Sequence, residues 1–181
     1  MPADPLIRRA RSQQLGDVLR RSAARVPERT ALVFRDRRDS FAELDAAVNR
    51  AARGLEAQGV AKGDRIALFT HNDRAFVVLR FALARLGAVT TPINFMLNAP
   101  DVAYILRHSG ARMIVAEDAL CPVADAALAE IGRELPRFAI PHAGAPVPAG
   151  WAPVSALLDH PDGSEVWRDV DPDDPIQMMY A

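Results

Sequence analysis

The chain has 181 residues, half of them hydrophobic and a quarter charged, with a formal net charge of -1. That length fits one domain with a core of its own, and the balanced charge leaves no electrostatic footprint for nucleic acid. Cys121 is the sole cysteine, so there is no intrachain disulfide and no thiolate metal cluster.

The N-terminal stretch carries Arg8, Arg9, Arg11, Arg20, Arg21 and Arg25. It can be read as a transit peptide or as a solvated helix face, and Asp4 and Asp17 favour the second. "LGDVLRRSAAR" predicts a short helix with Leu15, Val18 and Leu19 on one side, ending before Pro27. "TALVF" (residues 30–34) predicts a strand, and "RDRRD" after it a polar turn.

Ser40 and Glu43 form a capping-box pattern at the start of a helix. Phe41, Leu44, Val48, Ala51 and Leu55 continue it as one apolar stripe, and Gly59 is placed to end it. "KGD" makes a turn and "RIALF" (65–69) a strand. Asn72 is a candidate N-cap for a mostly buried helix that runs to about Leu86 and stops at Gly87.

"AVTTP" predicts the next strand. Asn98 and Pro100 start a helix that Gly110 ends. "RMIVA" (112–116) is a strand, residues 123–135 a helix, and "RFAI" (137–140) a strand. "PHAGAPVPAG" is a loop and the one plausible internal break. "WAPVSALLDH" has room for one or two helical turns, "PDGSEVWRDVDPDDP" is acidic and turn-rich, and "IQMMY" (176–180) predicts a final strand. Strands alternating with crossover helices predict an α/β fold, a mainly parallel sheet with helices on its faces.

The chemistry-bearing patterns are sparse. There is no G-x-G-x-x-G, no phosphate-binding P-loop pattern and no G-x-S-x-G. His71, His108, His142 and His160 are scattered rather than at metal spacing. "THND" (70–73) follows a strand and opens a helix, where a phosphate could bind. The plainer reading makes Asn72 a cap and His71 a loop residue. Cys121 stands near a helix start but reads as structural. Met178, Met179 and Tyr180 read as core, and Asp171, Asp173 and Asp174 as solvated linker charge rather than metal ligands. No residue is assigned as catalytic, cofactor-binding or metal-ligating. No apolar run reaches the roughly 18 residues of a membrane span, and the expected location is cytoplasmic.

Two blocks together resemble the adenylate-forming acyl-CoA synthetases. The first, residues 15–69, carries the resemblance at Pro27, Ala31, Phe41, Glu43, Leu44, Asn49, Ala51, Leu55, Gly59, Val60, Gly63, Asp64 and Arg65. The second, "RFALARLGAVTTPINFMLNAPDVAYILRHSGARMIVAED", carries it at Gly87, Ala88, Pro92, Asn94, Tyr104, Ile105, Leu106, Ser109 and Ala111. The likeness covers residues 15–120 and again 171–181, and "PINFML" is most similar to members that act on fatty, other aliphatic or aryl acids.

The resemblance implies an incomplete N-terminal AMP-binding domain over 1–181, a partial N-terminal subdomain of that fold. Residues 15–140 would be its α/β core, 141–172 a loop-rich connection, and 173–181 the strand that leads to the family's Ser/Thr/Gly-rich ATP phosphate loop. It further implies ATP, Mg2+ and CoA for the full-length enzyme, none bound tightly by this fragment, and a fatty or other carboxylic acid as substrate. The family's adenine-stacking aromatic, ribose-binding acid, Mg2+-supporting acid and catalytic lysine have no counterpart here. Lys62, the one lysine, sits in a structural turn. The 181-residue chain is therefore expected to be inactive alone. The alternatives are a non-catalytic α/β interaction module, half of a split enzyme whose partner polypeptide supplies the remainder, or a gene remnant.

Overall fold

The computed structural model describes Ile7 and residues 14–142 and 145–180. Arg8, Arg9 and Arg11 lie outside the described residues.

Helix α1 (Leu15–Arg25) buries Leu19, with Gly16 and Asp17, but leaves Val18 53% exposed. The expected Leu15/Val18/Leu19 stripe is thus rotated. The cause is Gly16, which lies so close to Arg85 that an added Cβ would stand 3.0 Å from its Cα. That backbone contact, not Val18, decides which side faces inward.

Strand β1 (Thr30–Phe34) pairs antiparallel with β2 (Arg37–Ser40), so it is not part of the parallel sheet. The turn is reduced to Arg35 and Asp36, with Arg35 at φ 52°, the positive dihedral that a tight hairpin needs. Helix α2 (Phe41–Ala57) starts on the full capping box. Ser40 Oγ accepts from the Glu43 N–H at 3.2 Å, and the Glu43 carboxylate accepts from the Ser40 N–H at 2.8 Å.

The main sheet contains β3 (Arg65–Phe69), β4 (Val89–Ile93), β5 (Met113–Glu117), β6 (Arg137–Ile140) and the two-residue β7 (Ala152–Pro153). Its order is β4-β3-β5-β6-β7, and every neighbouring pair is parallel. The crossovers are α3 (Arg74–Leu86), α4 (Ala99–Ser109) and α5 (Cys121–Ile131). Asp73, not Asn72, caps α3, because its carboxylate accepts the Ala75 N–H at 2.7 Å. Helix α5 ends earlier than the expected 135, at Gly132 with φ 61°.

Both faces of the sheet are covered, which explains the nearly unbroken apolar runs of its strands. Ile66 and Leu68 point to a core shared with α1, α2 and α3. Ala67 and Phe69 point to a second core with α4 and α5. The segment after β6 returns to this scaffold. It buries Trp151, Val154, Leu157, Val166 and Val170 and forms the short α6 (Ser155–Leu158). There α2 approaches so closely that a Cβ on Gly54 would lie 2.1 Å from the Leu157 carbonyl oxygen.

"IQMMY" is not a full strand. It touches the outer edge of β4 through one bridge, in which Thr90 N–H donates to Ile176 O at 3.0 Å and Met178 N–H donates to Thr90 O at 2.9 Å. Met179 is 73% exposed and Met178 half-buried, so neither is core, whereas the half-buried Tyr180 packs against the second core and sets its ring edge-on to Tyr104. Among the described residues nothing packs outside this edge to bury the two methionines. No helix of the described residues is long and apolar enough to cross a membrane.

Candidate functional site

The chain runs outward from β3 to β4 and then returns to β5 on the other side of β3. Loops that diverge at such a switch point open a crevice beyond the carboxyl ends of the strands. A cavity of about 360 Å³ lies there, lined among others by Arg35, His71, Asn72, Asp73, Glu117 and His142.

Glu117, the last residue of β5, is at the centre and only 6% exposed. Its Oε2 accepts the His71 backbone N–H at 3.1 Å and lies 2.9 Å from His71 Nδ1, with the Thr70 hydroxyl at 3.4 Å. Its Oε1 faces His142 Nε2 at 3.4 Å. The other ring nitrogen, Nδ1, sits 2.6 Å from Asp118 Oδ1. Asp118 is itself fixed by the backbone N–H groups of His142 at 2.8 Å and Ala119 at 2.7 Å. On the outer side, the His71 ring stacks on Phe95 with centroids 3.8 Å apart.

The electrostatics follow from this arrangement. Burial pulls the Glu117 pKa up, but the hydrogen bonds from the His71 side chain and backbone outweigh it and hold the pKa below the usual carboxylate range. The backbone and side-chain hydrogen bonds of His142 lower Asp118 in the same way. The Asp118 hydrogen bond raises His142 above the usual imidazole value. Two ionised carboxylates thus share one imidazole, an arrangement suited to holding positive charge.

It is poorly suited to an anion. The N-terminus of α3 is already capped by the Asp73 carboxylate, and Glu117 has taken the His71 N–H. The "THND" segment therefore lines the cavity without forming a phosphate cradle. Cys121 is buried, and burial first, then the Asp125 charge, pushes its thiol up to about 12. Such a thiol is not a nucleophile at neutral pH. His108 instead meets the Tyr180 hydroxyl at 2.9 Å, and His160 serves a local turn with Asp162. Asp171 and Asp174 close their own turn, and Lys62 ties it down through Asp174 at 2.5 Å.

Sequence spacing missed Glu117, Asp118 and the convergence of His71 with His142. The available signal was positional: each follows or ends a parallel strand, where the fold gathers side chains at one sheet edge.

A family model described as AMP-binding enzyme matches residues 19–181. The chain is 40% identical over 120 residues to the long-chain-fatty-acid–CoA ligase FadD13 of Mycobacterium tuberculosis, an alignment covering 65% of this chain and 24% of that protein. It is 37% identical over 106 residues to the human mitochondrial medium-chain acyl-CoA ligase ACSF2, covering 58% of this chain and 17% of that one. Among solved structures, the N-terminal domain of FACL13 from Mycobacterium tuberculosis superposes with a TM-score of 0.77 at 32% identity, over 94% of this chain and 42% of that one. The anthranilate CoA ligase AuaEII shares the fold, with a TM-score of 0.83 at 21% identity over 93% of this chain and 31% of that one. The chain thus spans about a quarter of the length of the curated relatives it matches.

Proposed function

The chain belongs to the AMP-binding enzyme family, and from that membership we propose that it is the N-terminal part of an ATP-dependent acyl-CoA synthetase. The reaction joins a carboxylic acid, in our reading a fatty acid, to CoA through an acyl-adenylate and releases AMP and pyrophosphate. The observation that carries this reading is the 40% identity to a fatty-acid–CoA ligase across 120 residues. The proposed layout is an α/β core over 15–140, a connection over 141–172 and a segment at 173–181 that leads toward the family's ATP phosphate loop. The proposed location is cytoplasmic.

Attack of a carboxylate on the ATP α-phosphate gathers negative charge, which needs oriented N–H donors, a metal ion and a cation. The switch-point cavity does not fit that need. Glu117 and Asp73 line it, Asp118 stands behind His142, and among the described residues Arg35 is the one permanent cation in its wall. We therefore assign ATP, Mg2+ and CoA to no residue of this chain, and propose that the 181-residue chain alone is inactive.

The test is pyrophosphate release by the purified chain with ATP, CoA, Mg2+ and medium- to long-chain fatty acids. No turnover is expected, and clear turnover overturns the inactivity. The parent activity is tested on the native protein captured from source cells with an antibody to residues 15–120. Fatty acyl-CoA synthesis is expected, and its absence with every acid tried overturns the ligase reading.

A second reading, half of a split enzyme, is favoured by the exposed Phe95, Met96, Tyr104 and Met179. It predicts that a second polypeptide co-purifies and restores turnover.

A further inference from the structure

We propose that Glu117 and His142, with Asp118 behind the imidazole, form a binding site for a divalent transition-metal ion of the zinc class. The site stands apart from the ligase reading and does not depend on it.

The first argument is spacing. His142 Nε2 and Glu117 Oε1 are 3.4 Å apart. Two ligands bound at about 2.0–2.1 Å to a tetrahedral ion stand roughly 3.3–3.4 Å from each other. The separation is that of two ligands on one tetrahedral ion.

The second argument is orientation. Metal-bound imidazoles commonly donate their other N–H to a carboxylate, which fixes the ring and its tautomer. Asp118 takes that position on Nδ1 at 2.6 Å, and two backbone N–H groups hold Asp118 in turn. In the neutral tautomer that donates Nδ1–H to Asp118, the Nε2 lone pair is turned toward Glu117, so the ion takes the place of the second proton. On the glutamate, His71 and Thr70 occupy Oε2, so Oε1 is the oxygen presented to an ion.

The third argument is charge and access. One ligand atom each from Glu117, Asp118 and His142 lies within 4.8 Å of the others. The adjoining cavity leaves room for water in the remaining positions. A mixed imidazole and carboxylate set suits zinc-like ions, whereas Mg2+ prefers oxygen ligands throughout. Arg35 lines the same cavity and opposes a cation there, so its removal is a further handle on the site.

The test uses the untagged full chain, stripped with chelator and titrated with Zn2+ by calorimetry and with Co2+ by visible absorption. One ion per chain is expected, with the intense absorption of tetrahedral Co2+ and no competition from excess Mg2+. His142→Ala abolishes that binding. The side chain is about half exposed, so the variant folds, and circular dichroism checks this. Asp118→Asn, which weakens the hold on Nδ1 without removing either of the two ligands, lowers affinity about 10- to 100-fold. Arg35→Ala tightens it, and His108→Ala leaves it unchanged. The proposal is overturned if the wild-type chain shows no saturable site, or if His142→Ala binds Zn2+ and Co2+ as the wild type does.

Discussion

Asp39 and Glu117 set the same problem and receive opposite solutions. Each is an almost fully buried carboxylate, at 2% and 6% exposure, and each ties distant segments together. Asp39 accepts from Arg74 at 2.7 and 3.0 Å and from Arg37 at 3.0 Å, which pins the β1–β2 hairpin to the start of α3. Its partners are charged at every accessible pH. Glu117 is met by two histidines, whose charge depends on conditions and whose nitrogens can bind something other than a proton. An arginine-locked carboxylate is committed to structure. A histidine-lined one keeps chemical options, and it is the one located at the switch-point crevice.

The comparison can be broken by mutation. Asp39→Ala leaves Arg74, only 18% exposed, without its partner, and is expected to cost about 3 kcal/mol in urea unfolding. A loss below about 1 kcal/mol would show that Asp39 is not the lock described. Glu117→Gln in the metal-free chain keeps the shape but weakens the charge-assisted bonds, for an expected loss of about 1–2 kcal/mol by the same measurement. His142→Ala, at the exposed rim, is expected to change metal-free stability by no more than about 0.5 kcal/mol.

Acid tests the arginine lock. Asp39 is lowered below 3.8, first by the Arg74 hydrogen bond and against burial. Its contribution is therefore complete above the unfolded carboxylate pKa and is lost as pH falls through the lower folded value. The Asp39→Ala and wild-type stability curves are expected to converge only below pH 3.8. Convergence well above that value would count against the lock.

The parts of the fold legible in the sequence are those encoded by local patterns. The Ser40/Glu43 capping box and the left-handed glycines at 87 and 110 act within a few residues, and all form. The β3 apolar run, Ile66–Phe69, signals burial on both faces. Strand β2 was hidden because Arg37, Arg38 and Asp39 carry no apolar residue, and their pairing comes from the hairpin and the Arg74 contact. The Glu117 cluster was hidden for a different reason. His71 lies 46 positions before Glu117, and His142 lies 24 after Asp118, so only the parallel register of β3, β5 and β6 brings them together. Spacing rules find ligands on one helix or hairpin, not on adjacent strand ends.

Both tryptophans of the chain, Trp151 and Trp167, belong to the segment that follows β6. Trp151 is 7% exposed, with its indole N–H on Asp125 at 3.1 Å. Tryptophan emission therefore watches the seating of this strap on α5 and the sheet, with no tryptophan on those elements themselves. An emission change that precedes the loss of helical ellipticity during unfolding would mark the strap as peeling away first, while coincident curves would show that it melts with the rest.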